Sequence, residues 1–273
     1  MKLRNPMLDK LRDRRVLLGL CNAYPCAGII EMMCRGWDFV WIDAQHGQHT
    51  QATAIEAVRA SELVGCDTLL RPPGQETSVL GVFSDMAPTM LMVPMIDTPE
   101  QAHAVVRATR FPPQGNRSYG GRRPIDLHGR KYFSQHEIAF AAQIETPESL
   151  TNIDAIAKVP GVDVLFFSPD DMKLRLGLPI NTPTDGPELR EGMELTARAA
   201  RNAGKFCAAA AGTPAAAARA VEMGYQMLAC GSDVGFIRSQ APDKLTEIRR
   251  ATTGDGKAAP TPDSRRVTTG VYG

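Results

Sequence analysis

Several signatures are missing from this sequence, and each absence removes a class of function. Lysine plus arginine (31) nearly balance aspartate plus glutamate (30), leaving a net charge of +1. The basic residues are scattered, so the electrostatic footprint of a nucleic-acid binder is lacking. No apolar run approaches the ~20 residues of a membrane span, and the N-terminal MKLRNPMLDKLRDRR has no apolar signal-peptide core. These two absences lead to the expectation of a cytoplasmic protein with no membrane partner. The six cysteines form no CxxC pair and no zinc spacing. Cys207 and Cys230 fall inside strand-like runs, where a thiol reads as small core filling. Neither a strand-linked GxGxxG nor a P-loop occurs, so no nucleotide cofactor is indicated.

What the sequence does contain is polar chemistry directly after apolar, β-rich runs. FVWIDAQHG ends in Asp43, Gln45 and His46, and TLLRPPG in Arg71. FAAQIET carries Gln143 and Glu145, and VLFFSPDD carries Ser168, Asp170 and Asp171. Eight strand candidates follow one another at 16–22, 39–45, 67–71, 90–95, 140–145, 163–168, 206–211 and 226–231. Helical patterns separate them, several opening with Thr-Pro and several closing with Gly. Strands alternating with helices imply a parallel sheet, and eight units imply closure. At 273 residues the chain suits a single α/β domain, a (β/α)8 TIM barrel, whose usual size is roughly 250 residues. The catalytic face of such a barrel is built from the C-terminal ends of its strands.

The barrel is expected over residues 1–250. Residues 111–139, rich in Gly and Arg, form a long loop of the kind that serves as a lid or stays disordered. Residues 251–273 are poor in apolar side chains and read as a flexible tail.

Side chains alternate along a strand, so Gln143 and Glu145 share a face with Glu145 at the mouth. Glu145 and Asp171, at successive strand ends and without a thiolate, suit a hard divalent cation such as Mg²⁺ or Mn²⁺. The competing reading is that each merely caps its own helix. Arg71, a rigid fork of donors, fits a carboxylate or a developing enolate oxygen, or an ion pair with Asp43 or Glu145. Asp43 and His46 are spaced for side-chain contact in a tight loop, which would fix the imidazole tautomer and give a proton shuttle. His49, His103, His128 and His136 carry no such signal. A Schiff-base lysine is not evident, since only Lys173 falls near a strand end.

Taken in order, WIDAQHG, LLRPPG, MVPMIDTPEQAHAVVRATRFPPQGNRSYGG and AQIETPESLTNIDAIAKVPGVDVLFFSPDDM resemble the motifs of the HpcH/HpaI aldolases. These are class II pyruvate aldolases of the 4-hydroxy-2-oxoheptanedioate type, and the match spans roughly residues 5–245. The resemblance implies a TIM barrel of the phosphoenolpyruvate/pyruvate-binding type. It implies Mg²⁺, Mn²⁺ or Co²⁺ held by Glu145 and Asp171, with Arg71 on the enolate oxygen. His46, supported by Asp43, would move the proton, and Gln143 would bond near the pyruvate. The backbone around Ser168 and Asp170 would hold the pyruvate carboxylate, and residues 111–123 would shape the aldehyde end. A homo-oligomer, commonly a hexamer, is implied as well. Gln45 stands where the family often has Glu, and Ser168 where it often has Gly; both bear on substrate identity. Two other readings remain at this stage. One is a CoA-thioester lyase of the citrate-lyase-β type, for which Arg122, Arg123 and Arg130 of the long loop leave room. The other is a silent barrel that binds an oxo acid.

Overall fold

The structure is a computed structural model, and it describes residues 4–184 and 186–253. Eight parallel strands close in sequence order. They are β1 (Leu17–Asn22), β2 (Phe39–Asp43), β3 (Asp67–Arg71), β4 (Met90–Val93), β5 (Ala139–Ile144), β6 (Val164–Phe167), β7 (Phe206–Ala210) and β8 (Met227–Ser232). The helices are α1 (Pro6–Arg12), α2 (Ala27–Met33), α3 (Gln51–Leu63), α4 (Thr77–Asp85), α5 (Pro99–Thr109) and α6 (Arg122–His128). They continue with α7 (Pro147–Thr151), α8 (Ile153–Lys158), α9 (Pro169–Arg175), α10 (Pro187–Asn202), α11 (Pro214–Met223) and α12 (Asp233–Thr253). Among the described residues no helix is long and apolar enough to cross a membrane.

The Thr-Pro signals work as the sequence suggests. Thr98, Thr146 and Thr213 each accept a hydrogen bond from the third backbone N–H of the helix that follows, with proline at its first turn. This satisfies donors that a helix start would otherwise leave open. Two strands stop two residues short of expectation. β2 ends at Asp43, whose side chain turns back to accept from the Gln45 and His46 amides. β4 ends at Val93, because Pro94 has no N–H to give the ladder and Met95 adopts φ 58°. The stretch TPESLTNIDAIAKV forms two helices, broken at Asn152, whose side-chain amide donates to Asp97 O at 2.8 Å.

Two apolar layers follow from strand alternation. Val40, Ile42, Leu70, Phe140, Ala142, Leu165 and Phe167 face outward and pack under the helices. Phe39, Trp41, Leu69, Ala139, Ala141, Val164 and Phe166 face inward, and Met7, Leu8 and Leu11 of α1 close the N-terminal end of this inner layer. Trp41 and Phe166 meet edge to face at 5.5 Å between centroids. Gly19 is required beside them, since a Cβ there would lie 2.2 Å from the Phe39 ring. The inward set, extended two residues along each strand, reaches Asp43, Arg71, Gln143, then Glu145, and Ser168. Alternation thus turns the top layer of the barrel interior into a polar one.

The long 111–139 segment is neither disordered nor a lid over this mouth. It leaves the end of α5 and re-enters at the start of β5, so it lies at the N-terminal end of the barrel. It holds α6 and a short 3-10 turn at Tyr132–Ser134. Phe111, Tyr119, Tyr132 and Phe133 pack ring against ring there, and Arg4 pairs with His136 in a β-bridge. Of the expected tail, residues 251–253 belong to α12 and 254–273 lie outside the described residues.

Candidate active site

Arg71 and Asp43 stand opposite each other in the β2–β3 register. Their side chains form a two-pronged ion pair, Nε to Oδ1 and Nη2 to Oδ2, each at 2.8 Å. Both are buried, at 2% and 0% side-chain exposure. The guanidinium also lies over the Trp41 ring, 4.8 Å from its centroid. A planar fork held on two edges and one face has little freedom left.

Gln143 joins this pair to the rest of the layer. Its Oε1 accepts from Arg71 Nη1 at 3.5 Å, while its Nε2 donates to Glu145 Oε2 at 2.6 Å and to Ser168 Oγ at 3.1 Å. The other Glu145 oxygen accepts the Met95 N–H at 2.7 Å. Met95 delivers that N–H from a left-handed backbone conformation, braced by Gln75 Nε2 donating to Met95 O at 2.9 Å. A methionine at positive φ is strained, and here the strain aims a donor into the site. No sequence signal marks this Gln75–Met95 brace.

Glu145 and Asp171 are not helix caps. Thr146 caps α7, and Ser168 occupies the cap position of α9. Asp171, half-buried in the first turn of α9, makes no hydrogen bond or ion pair with another described residue. Burial pushes the Glu145 carboxyl up to about 7; the Met95 N–H opposes this, and the charge of Asp171 adds to it. Asp170 points elsewhere, accepting from Lys173 Nζ at 2.9 Å. Lys173 is itself buried and also donates to Ile180 O, so it is a strut.

His46 differs from the sequence expectation. Asp43 gives its oxygens to Arg71 and to the backbone amides of Gln45 and His46, and the His46 ring is exposed with no hydrogen bond to a described residue. Spacing permitted an Asp43–imidazole contact, but the register placed a guanidinium across from Asp43 first. Gln45 keeps its Oε1 buried with no hydrogen bond to another described residue. A second polar group, missed in the sequence, lies beside this loop: Asp233, Asn22 and His49, all buried. Asn22 and Asp233 also follow the strand-end pattern, closing β1 and following β8.

A family model described as HpcH/HpaI aldolase/citrate lyase matches residues 25–239. This chain belongs to that family. It is similar to 4-hydroxy-2-oxovalerate aldolase of Novosphingobium aromaticivorans, 36% identical over 179 residues, 64% of this chain and 68% of that protein. It is similar to 2-keto-3-deoxy-L-rhamnonate aldolase of Escherichia coli K12, 31% identical over 258 residues, 92% of this chain and 96% of that protein. Among solved structures, an HpcH/HpaI aldolase/citrate lyase family protein from Burkholderia cenocepacia J2315 superposes with a TM-score of 0.83. It is 28% identical and is covered completely by 90% of this chain.

HpcH/HpaI enzymes are typically dependent on a divalent metal. The donor set fits such an ion. Glu145 is buried with its carboxyl pushed up, Asp171 makes no hydrogen bond or ion pair with another described residue, and Arg71 is paired with Asp43. Among the described residues no group of three or more His, Cys, Asp or Glu side chains is placed to hold a metal ion. Two hard carboxylates match a cation that fills its remaining shell with water and substrate oxygens.

Proposed function

We propose that this lyase reversibly cleaves a 4-hydroxy-2-oxo acid to pyruvate and an aldehyde with the help of Mg²⁺, Mn²⁺ or Co²⁺. The observation that carries the reading is the connected polar layer, in which an immobilised Arg71 faces, through Gln143, the carboxylates of Glu145 and Asp171, neither in a salt bridge with a described residue. Glu145 and Asp171 hold the metal, which when bound polarises the 2-oxo group. Arg71, kept in place by Asp43, donates to the oxygen that becomes an enolate on cleavage, a position where one fixed donor has its largest effect. Gln143 and the Ser168 hydroxyl orient the pyruvate portion. The backbone from Ser168 to Asp170 receives its carboxylate. An imidazole nitrogen of His46 takes the C4 hydroxyl proton as the C3–C4 bond breaks, and that proton goes on to C3 of the enolate to give pyruvate. Addition reverses these moves, with Gln45 beside His46 at the aldehyde side. The chain acts as a homo-oligomer, hexameric in keeping with its resemblance. Exposed Phe236, Ile237, Leu245 and Ile248 on α12 are in keeping with packing on another copy.

The CoA-thioester reading loses the residues it leaned on. Arg123 is buried against Glu62 and Met86 O, Arg122 pairs with Asp126, Arg130 lies over the Tyr119 ring, and all three sit at the end of the barrel away from the mouth. The deciding experiment is exchange of the pyruvate methyl protons in deuterated buffer, followed by NMR with and without chelator. Exchange that requires the metal supports the aldolase. No exchange with any of the three metals removes pyruvate as the nucleophile and brings the CoA-ester and silent-barrel readings forward.

A further inference from the structure

The ring of His46 makes no hydrogen bond to a described residue, so no side-chain hydrogen bond there fixes it and its backbone is what the structure pins. That backbone is pinned on both sides. On the N-terminal side, Asp43 Oδ1 accepts from the Gln45 and His46 amides at 3.0 and 3.3 Å. On the C-terminal side, Gln48 N donates to Ala23 O at 2.8 Å. Gly47 packs so tightly between them that a Cβ would fall 2.2 Å from Asp43 O and 2.9 Å from Ala23 O.

The β1–α2 turn on which this loop leans is in turn held by Asp233. One fully buried carboxylate accepts from Ala23 N at 3.1 Å, Tyr24 N at 2.9 Å, Val234 N at 2.7 Å and Asn22 Nδ2 at 2.9 Å. The carboxylate takes only donors, so it fixes the Asn22 amide with its oxygen turned the other way. That oxygen lies 2.9 Å from His49 Nε2. In the neutral ring this places the proton on Nε2, and Nδ1 is buried with no hydrogen bond of ordinary geometry to another described residue. The chain Asp233–Asn22–His49 thus links the start of α12 to the loop three residues beyond His46.

We propose that His49, oriented by Asp233 through Asn22, is a positioning residue that sets where His46 stands. The part of this that concerns turnover rests on the reading of His46 as the proton-moving group.

His49→Leu removes the Nε2 donor, while His49→Gln places an amide N–H at similar reach. In the full chain loaded with metal, His49→Leu is expected to lower kcat for oxo-acid cleavage on the order of 10- to 100-fold, as a misplaced catalytic group does. KM is expected to stay within about twofold, because the groups that hold substrate are untouched. Backbone hydrogen exchange over 44–49 should speed up while β2 keeps its protection, and His49→Gln should restore both measurements. Unchanged loop exchange and kcat in His49→Leu, or a Gln variant as impaired as Leu, overturns the proposal. ¹⁵N NMR of the unmodified chain gives a test that needs no variant to fold: a His49 ring protonated on Nδ1 rather than Nε2 overturns it as well. If the unmodified chain cleaves no oxo acid while exchange and tautomer behave as stated, the functional reading fails and the positioning chain stands.

Discussion

Both ends of this barrel bury charge, and they handle it in opposite ways. At the N-terminal end each buried arginine is matched with acid from a neighbouring segment. Arg110 meets Glu137 and Asp163, Arg117 meets Asp85, and Arg123 meets Glu62. These are closed pairs that tie the 111–139 segment to the barrel. At the C-terminal end the polar groups form one connected layer, and its acids outnumber its bases. Arg71 satisfies Asp43, Gln143 bridges onward, and Glu145 and Asp171 are left repelling each other. A balanced end holds itself together; an end with surplus carboxylate is one that a bound cation would balance.

The most damaging way to break that difference is to remove the surplus. Glu145→Ala is expected to abolish metal binding by calorimetry and to lower kcat/KM by at least ~10³-fold, since losing several kcal/mol of charge stabilisation costs tenfold per 1.36 kcal/mol. Normal turnover of this variant in the presence of chelator would remove Glu145 from the site.

Next comes the one cation of the layer. Arg71→Ala should reduce turnover by about 100-fold through the lost oxyanion donor. It should also destabilise the fold by about 3–5 kcal/mol, because Asp43 is left as an uncompensated buried charge. Urea unfolding and steady-state kinetics on the same preparation separate the two losses. A double variant, Arg71→Ala with Asp43→Ala, should recover stability and not activity.

These first two targets were legible in the sequence because strand alternation is a rigid rule. Given Phe39 and Trp41 inward, Asp43 has to be inward, and the same parity carries Leu69 to Arg71 and Ala141 to Gln143 and Glu145. Asn22 and Asp233 also lie at strand ends, but Asn22 stands opposite outward-facing Ile42, so inward parity does not mark it. The end of the barrel on which 111–139 sits was also readable in principle. A segment that joins a helix end to a strand start lies on the N-terminal face, whatever its composition. The Met95 conformation and the preference of Asp43 for Arg71 over His46 were not readable. Both depend on which groups meet across strands, and spacing along one chain does not encode that.

A gentler test keeps the residues and changes pH. Burial holds the Glu145 carboxyl near 7, above its ordinary 4.5, and a bound cation requires the ionised form. Protons and metal therefore compete: apparent metal affinity should fall tenfold per pH unit below about 7 and level off above it, with one proton released per ion bound at pH 6. In the metal-free chain the sign runs the other way. A raised folded-state pKa stabilises the fold most below about 4.5, and that stability is lost as pH rises through 7. Metal should then raise Tm more at pH 8 than at pH 5.5. An affinity flat from pH 5.5 to 8 would mean that Glu145 is not a ligand.

The smallest effect is expected at the balanced end, and it completes the contrast. Lys10 Nζ donates to Asp67 Oδ2 at 2.9 Å at the entry to β3. Burial raises the Asp67 carboxyl above its usual range, and Lys10 pulls it back down. Removing the lysine enlarges the net upward shift, so the carboxylate is penalised only where it is ionised. Lys10→Met should therefore cost stability by no more than about 1 kcal/mol near neutral pH, since the pair is partly exposed. The deficit should shrink as pH falls below the unfolded carboxyl value near 3.8, while kcat at neutral pH and metal affinity stay within twofold. The same deletion of one charge that empties the C-terminal site would here alter only the pH profile of unfolding. A change in metal affinity from Lys10→Met would show that the two ends are electrostatically coupled, and their separation would fail.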